Sequence, residues 1–194
     1  MNNKYILITG ASKGLGESLA QHLAHSGFDL CLVARNGILL RKLSTKLSSE
    51  TGREIIPLVC DLSDPEAVKN LILKIKKNFP YLETLINNAA IHGPIGPLWG
   101  NDWSLWQEVI QVNLLAPITL CHKLVPMIKE SQGSIINLSG GGATGPRANF
   151  SAYSTAKAGL VRFSETLAEE VKPFGIRVNC VAPGAMKTTL LSEV

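Results

Sequence analysis

Six short apolar runs alternate with longer amphipathic segments along the chain, and this alternation restricts the fold more than any other feature. The runs are residues 4–9, 30–34, 54–59, 84–86, 133–138 and 176–181. Each is apolar at successive positions rather than at every second one, the pattern of strands covered on both faces. Helical repeats lie between them. Leu15, Leu19 and Leu23 recur at helical spacing, and Gly27 sits where that helix stops. Asn36 is placed to cap a helix carrying Leu39, Leu40, Leu43 and Leu47. Asp64-Pro65-Glu66 combines a cap, a first-turn proline and an acid at the positive end of the dipole, ahead of Val68, Leu71, Ile72, Ile75 and Phe79. Residues 101–130 read as one long or broken helix with bends at Pro117 and Pro126, and residues 151–172 as another, stopped near Pro173 and Gly175. The order β-α-β-α-β-α-β-α-β-α-β predicts an α/β protein with a doubly wound parallel sheet. At 194 residues the chain reads as one domain, residues 1–194.

Composition removes several alternatives. A chain 45% hydrophobic and 18% charged is too apolar to be disordered. No unbroken apolar run approaches the ~20 residues that cross a bilayer, and residues 5–8 are too short for a signal-peptide core. The expectation is a soluble, cytoplasmic protein without membrane attachment. A net charge of +4 is modest, and the cluster Lys74, Lys76 and Lys77 reads as a solvated helix face rather than a nucleic-acid surface. Cys31, Cys60, Cys121 and Cys180 form no CxxC pair; they are expected to be small buried hydrophobes, not disulfides or ligands. No metal site is expected.

The first run opens into Thr9-Gly10-Ala11-Ser12-Lys13-Gly14-Leu15-Gly16. In a strand–turn–helix context Gly10 permits a sharp turn, Gly14 lets backbone approach a pyrophosphate, and Gly16 allows close helix–strand packing, while the helix start offers N–H groups. The cofactor set is therefore Gly10, Ser12, Lys13, Gly14, Leu15 and Gly16. An acid at the end of the second strand would favour NAD; Val33-Ala34-Arg35-Asn36 has none, and Arg35 offers a forked cation to a 2′-phosphate, with Lys13 adding charge. NADP(H) is expected before NAD(H). Asp61 is placed to meet the adenine edge, with Leu62 beside it. The Gly/Pro-rich stretches 91–100 and 140–147 follow strands four and five, at the sheet edge where ligands bind. Trp99, Trp103 and Trp106 either line a pocket there or pack.

Tyr153 and Lys157 are four residues apart near a helix start and share one face. A neighbouring ammonium favours the phenolate and brings a tyrosine toward acid–base use. With the glycine loop, Asp61, Asn87-Asn88-Ala89, Asn113, Ile136-Asn137-Leu138-Ser139, Tyr153-Ser154-Thr155-Ala156-Lys157 and Val181-Ala182-Pro183-Gly184, the chain resembles the short-chain dehydrogenase/reductase family over essentially its whole length. It looks closest to 3-oxoacyl-[acyl-carrier-protein] reductases. The resemblance implies an NAD(P)-binding Rossmann fold and a set of roles. Tyr153 would be the acid/base, Lys157 would lower its pKa and hold the nicotinamide ribose, and Asn113 would anchor a proton-relaying water. Asn88 and Ala89 would line the adenine ribose, and Pro183, Gly184, Met186 and Thr188 would flank the nicotinamide. From the residues alone, Asn113 could equally cap a helix turn, and Asn87 could tie neighbouring strands.

Two departures stand out. Asn87-Asn88-Ala89-Ala90 ends in alanine where the family has glycine. The family's substrate-binding serine lies thirteen residues before the tyrosine, and here that position is Gly140, one past Ser139. Either the loop 140–142 brings Ser139 into place, the preferred reading, or the donor is missing. The leading expectation is an NADP-dependent oxidoreductase interconverting a small-molecule carbonyl and a secondary alcohol. The alternatives are a non-catalytic NADP-binding module or a truncated, inactive reductase, and more distantly a sugar-nucleotide epimerase. Ten residues follow Gly184, so the family's last strand and lid helices are expected to be missing. An unpaired sixth strand suggests a homodimer or homotetramer, through the helices 101–130 and 151–172.

Overall fold

The protein's structure, a computed structural model, describes residues 5–184. Its strands are β1 (Tyr5–Thr9), β2 (Asp29–Ala34), β3 (Ile55–Val59), β4 (Thr84–Asn87), β5 (Ser134–Leu138) and β6 (Arg177–Val181). Between them run α1 (Gly14–His25), α2 (Gly37–Thr51), α3 (Pro65–Asn78), α4 (Trp103–Ile110), α5 (Ala116–Lys129) and α6 (Ser151–Val171). The sheet is wholly parallel with order β3-β2-β1-β4-β5-β6. All six runs of the sequence pattern are strands, and the sheet is doubly wound as the alternation predicts.

Burial follows position in the sheet. Every residue of β1, β2 and β4 is buried, whereas the outermost strands β3 and β6 are partly exposed. Successive side chains feed opposite faces. Leu7, Cys31, Leu85 and Ile135 join α3, α5 and α6 in one core; Ile6, Ile8, Leu30, Leu32 and Ile86 join α1 and α2 in the other. Cys31, Cys60 and Cys121 are buried as expected, whereas Cys180 is only partly so.

The helix starts behave as their sequences suggest. The Asn36 side chain accepts from the Ile38 and Leu39 N–H groups, and Asp64 accepts from Glu66 ahead of a first-turn Pro65. Each such cap is worth about 1 kcal/mol. The 101–130 segment differs from expectation. Its break is a π-helical turn over Gln111–Leu115, just ahead of Pro117. Pro117 lies just past that turn inside the continuous helix Trp103–Lys129, where it removes one N–H from the helical ladder, and Pro126 is carried further along it. The apolarity of this long segment, sufficient by composition for a membrane span, is used by Leu120, Cys121, Leu124 and Ile128 against the sheet.

From β1 the chain builds toward β2 and β3, then returns to place β4 on the other side of β1. That reversal opens a crevice beyond the carboxyl ends of β1 and β4, where ligands of such sheets bind.

Candidate active site

The glycine loop enters this crevice from β1. Gly10 and Gly14 adopt φ of +66° and +59°, the left-handed region that favours glycine. A Cβ on Gly10 would lie 2.8 Å from Ala89 Cα, and one on Gly16 would lie 2.2 Å from the Gly10 carbonyl oxygen. Gly16 is thus the close-packing position the motif implied. Lys13 at the start of α1 makes no side-chain cap, in contrast to Asn36, Asp64 and Asp102 on α2, α3 and α4. Ser12 is half-buried and Lys13 exposed beside that first turn, and Leu15 is half-buried within it.

Asn88 has a task the sequence reading did not give it. Its Nδ2 donates to the Thr9 and Gly10 carbonyls at 2.9 and 3.3 Å. Thr9 Oγ1 in turn accepts from the Asn88 and Ala89 N–H groups at 3.0 and 3.1 Å. The Asn88 amide therefore braces the glycine loop. Asn87 is structural, as one reading had it: its Nδ2 donates to Asn137 Oδ1 at 2.8 Å, and Asn137 continues to Ser164 Oγ at 2.8 Å, linking β4, β5 and α6.

On the β2 side, Arg35 Nη1 stands 4.0 Å from both Asp61 Oδ2 and Glu108 Oε1. Asp61 Oδ1 accepts from the Ser63 N–H and hydroxyl at 2.9 and 2.8 Å, which fixes its carboxylate at the end of β3. The Leu62 side chain is buried in the core. Glu108, on α4, carried no recognisable motif in the sequence.

Asn113 is fully buried in the π-helical turn. Its Oδ1 accepts from the Ile91 N–H at 2.9 Å and its Nδ2 donates to the Ile91 carbonyl at 2.8 Å. Both ends of the amide thus clamp the loop after β4. Such π turns displace backbone carbonyls from the helical ladder and recur at functional sites.

Tyr153 and Lys157 lie on the first turns of α6, both buried. Lys157 Nζ donates to the Leu138 carbonyl at 2.6 Å and sits 5.8 Å from the Tyr153 ring centroid. Burial pulls the Lys157 ammonium down to about 8, opposed by Cys180. Burial pushes the Tyr153 phenol up, and Arg147 pulls it back. Desolvation is the larger influence on Tyr153, and the Lys157 ammonium is directed at the Leu138 carbonyl.

Ser139 and Gly140 divide as the alternation of an extended segment requires. A Cβ on Gly140 would lie 2.5 Å from the Tyr153 hydroxyl. Ser139 is buried and, with Val161, Ser164, Glu165 and Cys180, is among the residues lining a cavity of about 480 Å³ between α6 and β6. Its hydroxyl has no hydrogen-bond partner among the described residues. Ser139 Oγ therefore makes no hydrogen bond to Tyr153 among the described residues, and residue 140 holds the place beside the tyrosine hydroxyl.

His92 is the neighbour the sequence reading missed. Its ring stacks on Tyr153 with centroids 5.3 Å apart and planes at 16°, and meets Phe150 edge-on at 6.3 Å. Arg147 covers the Phe150 ring at 3.7 Å. The available signal was position: His92 lies in the Gly/Pro-rich loop that follows Asn87-Asn88. Trp103 and Trp106 stack on each other at 4.8 Å, and Trp106 donates to Ser151 at 3.1 Å, so these two pack. Trp99 is exposed. Pro183 and Gly184 follow β6 at the same sheet edge; Met186 and Thr188 lie outside the described residues.

Known proteins are similar to this chain in sequence and fold. The family model described as short chain dehydrogenase matches residues 4–194. The uncharacterized oxidoreductase YciK of Escherichia coli is 33% identical over 193 residues, spanning 98% of this chain and 76% of that protein. The 3-oxoacyl-[acyl-carrier-protein] reductase FabG of Chlamydia trachomatis is 32% identical, spanning 99% of this chain and 77% of that protein. A short chain dehydrogenase from Shigella flexneri, solved with NADP, superposes with a TM-score of 0.92 at 32% identity, covering 100% of this chain and 82% of that one. One from Sphingobium yanoikuyae, solved with NADPH, superposes at 0.91 and 30% identity, covering 98% and 74%. With the glycine loop, the Asn113 turn and the Tyr153–Lys157 pair on a sheet of this order, the chain belongs to the short chain dehydrogenase family.

Proposed function

We propose that the chain is an NADP(H)-dependent oxidoreductase that interconverts a carbonyl and a secondary alcohol. The observation that carries this reading is the burial of Tyr153 beside Lys157 at the same sheet edge as the glycine-loop crevice. The crevice fits a dinucleotide. Gly10 and Gly16 leave the space a Cβ would fill, the start of α1 has no side-chain cap, and the Arg35 guanidinium suits a 2′-phosphate. Solved relatives contain NADP or NADPH.

Gly10, Ser12, Lys13, Gly14, Leu15 and Gly16 would hold the pyrophosphate, Arg35 the 2′-phosphate, and Asp61 and Leu62 the adenine edge. Pro183, Gly184, Met186 and Thr188 would flank the nicotinamide. When bound, the cofactor supplies or accepts the hydride. In reduction Tyr153 gives its phenolic proton to the substrate oxygen. The Lys157 ammonium stabilises the phenolate left behind, since a nearby cation favours the charged form. The π turn at Asn113 offers a backbone carbonyl to a water that returns the proton. Exposed Leu105 and Leu115 beside this turn support self-association as a dimer or tetramer.

A second reading, an NADP-binding module without turnover, is favoured by Gly140 in place of a hydroxyl-bearing residue. NADPH oxidation against a panel of ketones, diketones and 3-oxoacyl thioesters separates the two. The reductase reading expects turnover on at least one class, and a loss of ~10²–10⁴ in kcat for Tyr153→Phe. Tight NADPH binding with no turnover across the panel assigns the chain to the module reading.

A further inference from the structure

A carbonyl oxygen gains negative charge as hydride reaches its carbon, and each donor aimed at that charge contributes ~10²–10³ in turnover. Tyr153 is one donor. Residue 140 cannot be another: Gly140 has no side chain, and the Tyr153 hydroxyl occupies the place where one would begin. Ser139 Oγ is buried and has no hydrogen-bond partner among the described residues. Ser154 Oγ is directed at the buried Gly142, 2.6 Å from where a Cβ of Gly142 would lie. None of the three gives the tyrosine a companion.

The other flank of Tyr153 carries one. His92 lies almost parallel to the phenol ring, at 5.3 Å and 16°, and Phe150 closes on its edge. The backbone on both sides of His92 is fixed. Ile91 is clamped through both its N–H and its carbonyl by the buried Asn113 amide. Gly93 adopts φ of +73°, and a Cβ there would lie 2.0 Å from Val109 Cγ2, so only glycine lets the loop press onto α4. A side chain held this way meets the demand of a preorganised site, where small displacements are expensive. An imidazole in either protonation state offers at least one N–H.

We propose that His92 is a further catalytic residue, its imidazole N–H donating a second hydrogen bond to the carbonyl oxygen that Tyr153 protonates. The imidazole keeps its proton throughout; only the phenolic proton of Tyr153 is transferred. The assignment rests on the carbonyl-reductase reading above.

His92→Phe retains an aromatic ring on Tyr153 and deletes the N–H, whereas His92→Gln retains a donor and deletes the ring. The experiment measures kcat and KM on a ketone that the wild-type chain reduces, NADPH affinity by fluorescence, and the ¹³C signal of that ketone, carbonyl-labelled, bound beside NADP⁺. For His92→Phe, NADPH affinity stays within about twofold, kcat falls ~10²-fold at similar KM, and the bound carbonyl signal moves toward its free value. His92→Gln regains at least about tenfold of that loss. A His92→Phe chain with wild-type kcat and carbonyl signal overturns the assignment and leaves the stack as packing. If the Phe variant does not fold, His92→Ala with added imidazole decides: rescue supports the donor role and its absence overturns it. A wild-type chain that binds NADPH and reduces no carbonyl overturns the reductase reading and this assignment together. Normal wild-type turnover with an indifferent His92 overturns only the latter.

Discussion

The two edges of the sheet differ in how completely their polar groups are paired. At the amino edge they are paired. Asp29, 1% exposed, receives the Arg53 fork at 2.9 and 2.7 Å and the Glu54 N–H at 2.9 Å. Tyr5 donates to Glu54, and Thr84 meets Ser134 at 2.9 Å. At the carboxyl edge Lys157 is buried opposite a carbonyl rather than a carboxylate, and the hydroxyls of Ser139 and Ser154 have no partner among the described residues. Gly10 and Gly14 hold left-handed backbone there as well. The amino edge contributes stability; the carboxyl edge holds reactive groups desolvated at some expense to it. This division is what a site built on a stable scaffold requires.

The largest change expected in stability comes from breaking the amino edge. Asp29→Ala strands the Arg53 guanidinium and the Glu54 N–H. Removing one member of a buried pair costs ~3–5 kcal/mol, and because the Arg53 side chain is 33% exposed and regains water, the lower end applies. Urea unfolding measures it. NADPH affinity should stay near wild type, since the pair lies at the far end of the strands. A loss under about 1 kcal/mol would erase the contrast between the edges, as that is the range of an exposed pair.

The reverse substitution at the carboxyl edge should stabilise. Lys157 is held at about 8 against an ordinary 10.5, so between those values the unfolded chain binds more protons and stability rises with pH. Below pH 8 both states are protonated and the whole burial penalty is present. Each pKa unit is worth about 1.4 kcal/mol, offset by roughly 1 kcal/mol for the lost bond to Leu138. Lys157→Met is therefore expected to gain ~1–3 kcal/mol at pH 7, to lose that advantage progressively toward pH 10.5, and to be inactive. Urea midpoints of both chains at pH 7 and pH 10 give the sign directly. A Met variant less stable than wild type at pH 7 would mean the Leu138 hydrogen bond outweighs desolvation.

The amino acid sequence exposed the scaffold more fully than the site. Continuous apolar runs revealed all six strands, because strands covered on both faces have nothing else to be. The caps at Asn36 and Asp64 were legible because capping is local chemistry. Gly10 and Gly16 were legible for the same reason, through a spacing that only close backbone approach explains. The break in the long helix was not: a π turn depends on Asn113 reaching Ile91, twenty-two residues away, whereas proline is the only local signal of a bend. His92 on Tyr153 and Glu108 near Arg35 are likewise contacts between elements distant in the chain, and neither leaves a spacing to read. The place of Ser139 relative to Tyr153 was not legible for a narrower reason. A one-residue offset along an extended segment moves a side chain to the opposite face, so position 139 is not simply position 140 displaced by one residue, and spacing from the tyrosine alone does not say which face the hydroxyl serves.

That offset supplies the smallest and sharpest test of the two edges. If Ser139 only lines the α6–β6 cavity, Ser139→Ala removes a buried hydroxyl that has no partner to lose. Deleting such a group is neutral or stabilising by up to about 1 kcal/mol, and kcat on a reduced ketone should stay within about twofold, because no donor to the developing charge is removed. If the loop rearranges on substrate binding and delivers the hydroxyl to the carbonyl, the same change costs ~10²–10³ in kcat with little effect on KM. Paired with His92→Phe, the result locates the second donor on one flank of Tyr153 or the other. A residue on α6's cavity side would make the unpaired hydroxyl a reactive group kept in reserve; a residue on the β4 loop would make it a polar remnant that the carboxyl edge tolerates because the scaffold beneath it is stable enough.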